Sequence, residues 1–191
     1  ICTFSILCAE MRTTMLQDMQ KNFEIKKIKR SACKMKEPHS HPFHELFYLA
    51  KGECTAFLSH NIYKFSKGDI VIVPAGTIHK TDYTGKGINE RIVISFKTSV
   101  TDWLSNVVGT DIVSDVMQTG VITIPEKRRD YIEKLLDKLI FENEGQDPLS
   151  PGFVSVALAE LILFIARCKQ YEENVIKEID VDNQIMQEVA T

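Results

Sequence analysis

Between Phe23 and Phe96 the chain breaks into short apolar or alternating runs: Phe23 to Arg30, Glu45 to Ala50, Cys54 to Leu58, Ile62 to Phe65, Asp69 to Val73 and Ile88 to Lys97. Glycine- and proline-bearing turns separate them, and no helix of ordinary length fits between such stops, so this stretch is restricted to a compact all-β unit. Lys51-Gly52 and Lys67-Gly68 supply the positive φ that tight hairpins need, and Pro74-Ala75-Gly76 suits a turn in which proline pre-sets φ. In Ile70-Val71-Ile72-Val73 both faces are apolar, so that strand is covered on each side, as in a filled barrel or a packed sandwich.

After Phe96 the period lengthens. Thr101 to Asn106 and Asp111 to Gln118 read as short helices, and Val121 to Ile124 as one more strand. Pro125 and Glu126 open a helix to about Asn143, with Ile132, Leu135, Leu136, Leu139 and Ile140 on one stripe. Ser150-Pro151 begins a second helix, residues 151 to 169, that is apolar over most of its circumference and needs cover on more than one side. A second copy of the chain is the expected cover, with Val154, Leu158, Leu161 and Ile165 at the dimer interface. Gln170 to Asp180 reads as a linker or fraying helical extension. Asp182 then caps a new amphipathic start carrying Ile185, Met186 and Val189, which ends uncapped.

The expected division is an N-terminal arm at 1–22 that frays or is foreign to the fold, a β-unit at 23–124, a helical pair at 125–172, and at 173–191 a linker with the first helix of a truncated further domain. At 191 residues and 44% apolar content the chain can bury a full core. A formal net charge of -3 gives it no overall attraction to a polyanion, so these residues alone are not expected to bind DNA, and the basic run from Lys26 to Lys36 reads as a solvated strand face. Five scattered cysteines suggest neither a disulfide framework nor a zinc ribbon and fit a reducing, cytoplasmic setting. The apolar opening, Ile1 to Ala9, lacks a basic leader, and no run elsewhere reaches membrane-spanning length, so no membrane partner is expected.

The chemistry concentrates in His39-Ser40-His41-Pro42-Phe43-His44-Glu45. On an extended strand His39, His41 and Glu45 share one face while His44 points to the other. His79, after the Gly68 to Gly76 segment, would add a third imidazole from a neighbouring hairpin. Three nitrogens and one oxygen suit iron, manganese, nickel or zinc, although the same side chains can equally line a metal-free pocket. Phe47, Leu49, Phe57, Ile92, Ile94 and Phe96 have the spacing of barrel core. Tyr83, Arg91 and Trp103 each pair a hydrogen-bond donor with an apolar or planar surface, a combination suited to sugar-like or aromatic ligands.

The two histidine-bearing segments resemble the two motifs of the cupin superfamily, in which the matching histidines and glutamate often hold a metal inside a small β-barrel. His39, His41, Glu45 and His79 fill every ligand position of that pattern, while Tyr83 stands where many cupins carry asparagine. Glu45-Leu46-Phe47-Tyr48-Leu49 and the run from Gly68 to His79 resemble in particular the amino-terminal domain of AraC-type transcription regulators. That resemblance implies a jelly-roll barrel, a double-stranded β-helix, followed by a helical dimerisation pair. It also implies a small-molecule effector in the barrel, a homodimer, and DNA bound through a domain absent from this chain. On it the chain is a sensor and not an enzyme; the rival is a metal-dependent cupin dioxygenase or isomerase using the same four residues.

Overall fold

A computed structural model describes residues 21–189 other than 119 and 146, with side chains described as far as Tyr171 except at 85 and 86. All but the last two residues of the expected arm at 1–22 therefore lie outside the described residues. Seven strands come first in order or close behind: β1 (Phe23–Lys34), β2 (His44–Lys51), β3 (Glu53–Leu58), β4 (Asn61–Ser66), β5 (Asp69–Val73) and β6 (His79–Phe96), with β7 (Gly120–Thr123) after two short helices, α1 (Thr98–Val108) and α2 (Thr110–Val116). Two long helices close the chain, α3 (Glu126–Glu144) and α4 (Ser150–Val189).

Every ladder among the described residues is antiparallel, and the sheet runs β4-β3-β6-β2-β5-β7 with β1 also on β6. Along the edge opposite β1 the long β6 serves two neighbours: His79 to Tyr83 pair with β3, and Glu90 to Phe96 pair with β2. A strand shared in this way wraps the sheet on itself into a nearly closed double-stranded β-helix. The first half of β6 is a strand the sequence analysis did not expect, and it carries His79 and Tyr83.

Facing residues of a ladder share a face, so the register separates two cores. Phe47 lies opposite Val71 and Val93, and Cys54 opposite Tyr83; with Leu49, Ala56, Leu58, Phe65 and Val73 they fill the barrel. The alternate residues Leu46, Tyr48, Ile70, Ile72, Ile92, Ile94 and Phe96 form the outer wall and pack beneath the helices. Ile92, Ile94 and Phe96 are thus helix-facing, not barrel core as the spacing suggested, and Phe57 is only partly buried and belongs to neither cluster. Both wall faces are apolar because both are covered, which leaves the period-2 pattern without a phase.

The helices close the outer core through Ile132, Leu136 and Leu139 of α3 and Leu158, Leu161 and Ile165 of α4. This corrects the expected dimer interface. Val154, Leu158, Leu161 and Ile165 are 6%, 0%, 1% and 0% exposed in the single chain, so the barrel and α3 already use them. Among its described side chains α4 leaves open Phe153, Val156, Leu163 and Tyr171, whose spacings of three, seven and eight residues place them on one stripe. The helix also continues without a break through 170–180 to Val189, where a linker or extension and a fresh start at Asp182 were expected. That segment holds no glycine or proline to stop it. Contrary to the sequence expectation, Ser150–Tyr171 is long and apolar enough to cross a membrane, but 67% of its apolar window is buried inside the fold, as in a core helix.

Gly52 closes the β2–β3 hairpin at φ +101°, and a Cβ there would lie 2.0 Å from Asn89 Oδ1, the acceptor of the Glu53 N–H. Gly52→Ala is expected to lower unfolding stability by about 3 kcal/mol, combining left-handed strain with loss of that hydrogen bond. Gly76→Ala, at φ +79° with open space around it, should lose only the strain, about 1 kcal/mol. Urea midpoints compare the two, and equal losses would mean that Asn89 is not held through Gly52.

Candidate functional site

The histidines meet where the loop before β2 crosses the start of β6. His39 is not in a strand; it forms a single bridge with His79, each N–H donating to the other's carbonyl at 2.9 Å. His41 lies in the loop just before β2, fixed by the Gly76 N–H on its carbonyl at 2.8 Å. Residues 39–41 form no strand beyond that bridge, and the imidazoles converge: one ligand nitrogen from each of His39, His41 and His79 lies within 4.8 Å of the others. The ring centroids are 4.3 Å apart for His39 and His79 and 4.8 Å for His41 and His79.

The surroundings fix ring orientation. His41 Nδ1 is 2.8 Å from the Phe43 carbonyl and His79 Nδ1 is 2.9 Å from the Thr77 carbonyl, so in each ring Nδ1 carries the proton and Nε2 keeps its lone pair. Phe43 stacks flat on the His41 ring at 3.8 Å. Burial lowers the His79 pKa, against the Thr77 carbonyl and Glu45, which favour the charged form, while His39 and His41 add to the lowering. A buried neutral imidazole is the form that ligates a metal.

Glu45 stands beside the three histidines. Its carboxylate lies 3.6 Å from His41 Nε2 but outside the group of nitrogens, so the four-ligand set expected from sequence is three converging histidines with a carboxylate alongside. His41 Nε2 is buried without a hydrogen-bond partner, which is the position a metal ion would occupy, and an all-imidazole donor set suits a divalent transition ion. His39, His41 and His79 could hold such an ion, and His39, being exposed, leaves the centre open to solvent. His44 faces away, stacks on Phe96 at 5.6 Å and accepts the Ala75 N–H at 3.3 Å, a packing role.

The other expected ligand residues divide. Tyr83 and Arg91 do enter the barrel, with the guanidinium carbon 5.3 Å from the Phe47 ring centroid and 5.4 Å from that of Tyr83. Trp103 does not. It sits on α1 and packs on the outer core with Val100 and Leu104, because the helical phase of α1 turns its apolar side to the wall. Asn89, 1% exposed and two residues before Arg91 on β6, is an interior polar residue the sequence analysis missed; its shared parity with Arg91 was the available signal.

Residues 32–95 match the family model of the cupin domain, and the barrel is a cupin double-stranded β-helix. Among curated proteins no sequence matches the chain. Among solved structures, apo ToxT from Vibrio cholerae is similar over 73% of this chain and 54% of its own, with 9% identity and a TM-score of 0.56. A protein of unknown function from Streptococcus pyogenes matches 40% of this chain and 65% of its own at 16% identity and a TM-score of 0.36. An RmlC-like cupin family protein with a double-stranded β-helix fold from Methanocaldococcus jannaschii matches 40% of this chain and 71% of its own at 22% identity and a TM-score of 0.36. The matched regions thus span less than two thirds of the ToxT and streptococcal chains.

Proposed function

We propose that this chain is the effector-sensing and dimerisation module of an AraC-type transcription regulator, acting as a sensor and not as an enzyme. A small sugar-like or aromatic molecule in the barrel would change how attached DNA-binding domains are held. One observation carries this: β2 touches the barrel interior through Phe47 and Leu49 and the helical layer through Leu46 and Tyr48. Tyr48 also donates a 2.8 Å hydrogen bond to Glu133 on α3. A ligand that shifts the interior side of β2 therefore shifts residues fixed to the helices. Such a switch is driven only by differential affinity for two arrangements.

The likeness to ToxT, an AraC-family protein, supports this because at 73% of the chain it extends beyond the barrel. A second copy would pair through the open stripe of Phe153, Val156, Leu163 and Tyr171. DNA would be bound through a domain outside this chain. Cys33 and Cys54 form no disulfide among the described residues, which accords with a cytoplasmic setting. A metal-dependent dioxygenase or isomerase is the second reading, favoured by the three histidines, whose ion would keep open positions for substrate.

Selection from a random duplex DNA pool tests the regulator. The complete protein is expected to enrich one sequence, and enrichment of none would overturn the proposal. The coupling has its own test in Tyr48→Phe. Loss of the Glu133 bond should lower stability by about 1 kcal/mol and speed amide exchange in α3 more than in β3; uniform acceleration would remove Tyr48 from the linkage.

A further inference from the structure

At the barrel end away from the histidines, three buried side-chain donors have no acceptor among the described residues: Tyr83 Oη, Asn89 Nδ2 and Arg91 Nε. They converge. Asn89 and Arg91 are two apart on β6 and share a face, and the Arg91 guanidinium lies over the Tyr83 ring. Asn89 cannot turn its donor away, because its Oδ1 is held by the Glu53 N–H at 3.1 Å.

No carboxylate among the described residues forms an ion pair with Arg91. Burial raises both the Cys54 thiol and the Tyr83 phenol to about 12, so neither supplies a negative charge at ordinary pH. A guanidinium stays charged throughout that range. Its compensation within the chain comes from the faces of Phe47 and Tyr83.

We propose that the barrel binds a small organic carboxylate, its anionic group held by Arg91, Tyr83 and Asn89. One guanidinium and two neutral donors match a monoanion, whereas a phosphate dianion would call for a second interior cation. The carboxylate site lies four residues along β3 from the histidines, roughly 13 Å, so the two centres are separate. This inference rests on the sensor reading and specifies its effector class.

Thermal unfolding of the whole chain with benzoate or benzamide as probes tests it. Benzoate is expected to raise the midpoint in a saturable way and benzamide to leave it unchanged. Arg91→Met should stay folded and lose the benzoate shift, and Tyr83→Phe should weaken benzoate about tenfold or more. Equal shifts from both probes would overturn the carboxylate site while leaving a ligand-binding barrel. Absence of a benzoate shift, or its survival in Arg91→Met, would overturn the site and leave the sensor reading to the DNA selection.

Discussion

Leu158→Asp is expected to leave no folded chain, while Leu163→Asp leaves the fold intact and yields monomers. The two leucines lie on one helix five residues apart, but Leu158 is fully buried between α4 and the outer wall whereas Leu163 is 43% exposed. Truncating a buried leucine costs about 2–5 kcal/mol, and an unpaired carboxylate in its place adds several more. That sum approaches the entire stability of a domain, about 5–15 kcal/mol. At Leu163 an exposed charge changes protomer stability by only about 0.5 kcal/mol, yet it falls in the middle of the stripe formed by Phe153, Val156 and Tyr171. Circular dichroism and sedimentation velocity separate the effects. A folded Leu158→Asp chain would contradict the burial of α4, and a dimeric Leu163→Asp chain would move the interface off this helix.

The same pair of residues shows what the sequence could and could not reveal. A helix apolar on nearly every side announces that it needs cover on more than one side, but not which side faces its own protomer, so the most apolar positions were assigned to a partner when they belong to the core. The barrel strands pose the equivalent problem. Ile92, Ile94 and Phe96 alternate as regularly as Phe47 and Leu49, and with helices outside and side chains inside, only the register of β6 against β2 decides which set faces inward. Ile70 to Val73, apolar on both faces, is legible as doubly covered because that inference needs no phase. The first half of β6 was missed because Gly85 and Gly87 interrupt the pattern that continues from Ile88. The histidines were legible for the opposite reason: imidazoles and a carboxylate at short spacing are a chemical signal that does not depend on local geometry, here a loop with a single bridge where a strand was expected. Asn89 sent no such signal, since an asparagine near a turn ordinarily marks the turn itself.

His41→Ala is expected to weaken the binding of added nickel(II) or zinc(II) by about a hundredfold or more, as read by competition with a chromophoric chelator. Losing an outer partner of a metal ligand already costs about 10–100-fold, and His41 supplies one of only three converging nitrogens. The geometry makes a second, finer distinction. Glu45 lies 3.6 Å from His41 Nε2, too far for a good hydrogen bond and outside the nitrogen cluster, so Glu45→Gln should fall in the range of an outer partner, about 10–100-fold. A Glu45→Gln loss equal to that of His41→Ala would make the carboxylate a true fourth ligand, drawn in when the ion arrives. An unchanged affinity in His41→Ala would show that the three imidazoles do not form the ion's site. The near end of the barrel would then be part of a pocket whose histidines act as hydrogen-bonding groups, and the case for metal-dependent catalysis would lose the feature on which it stands.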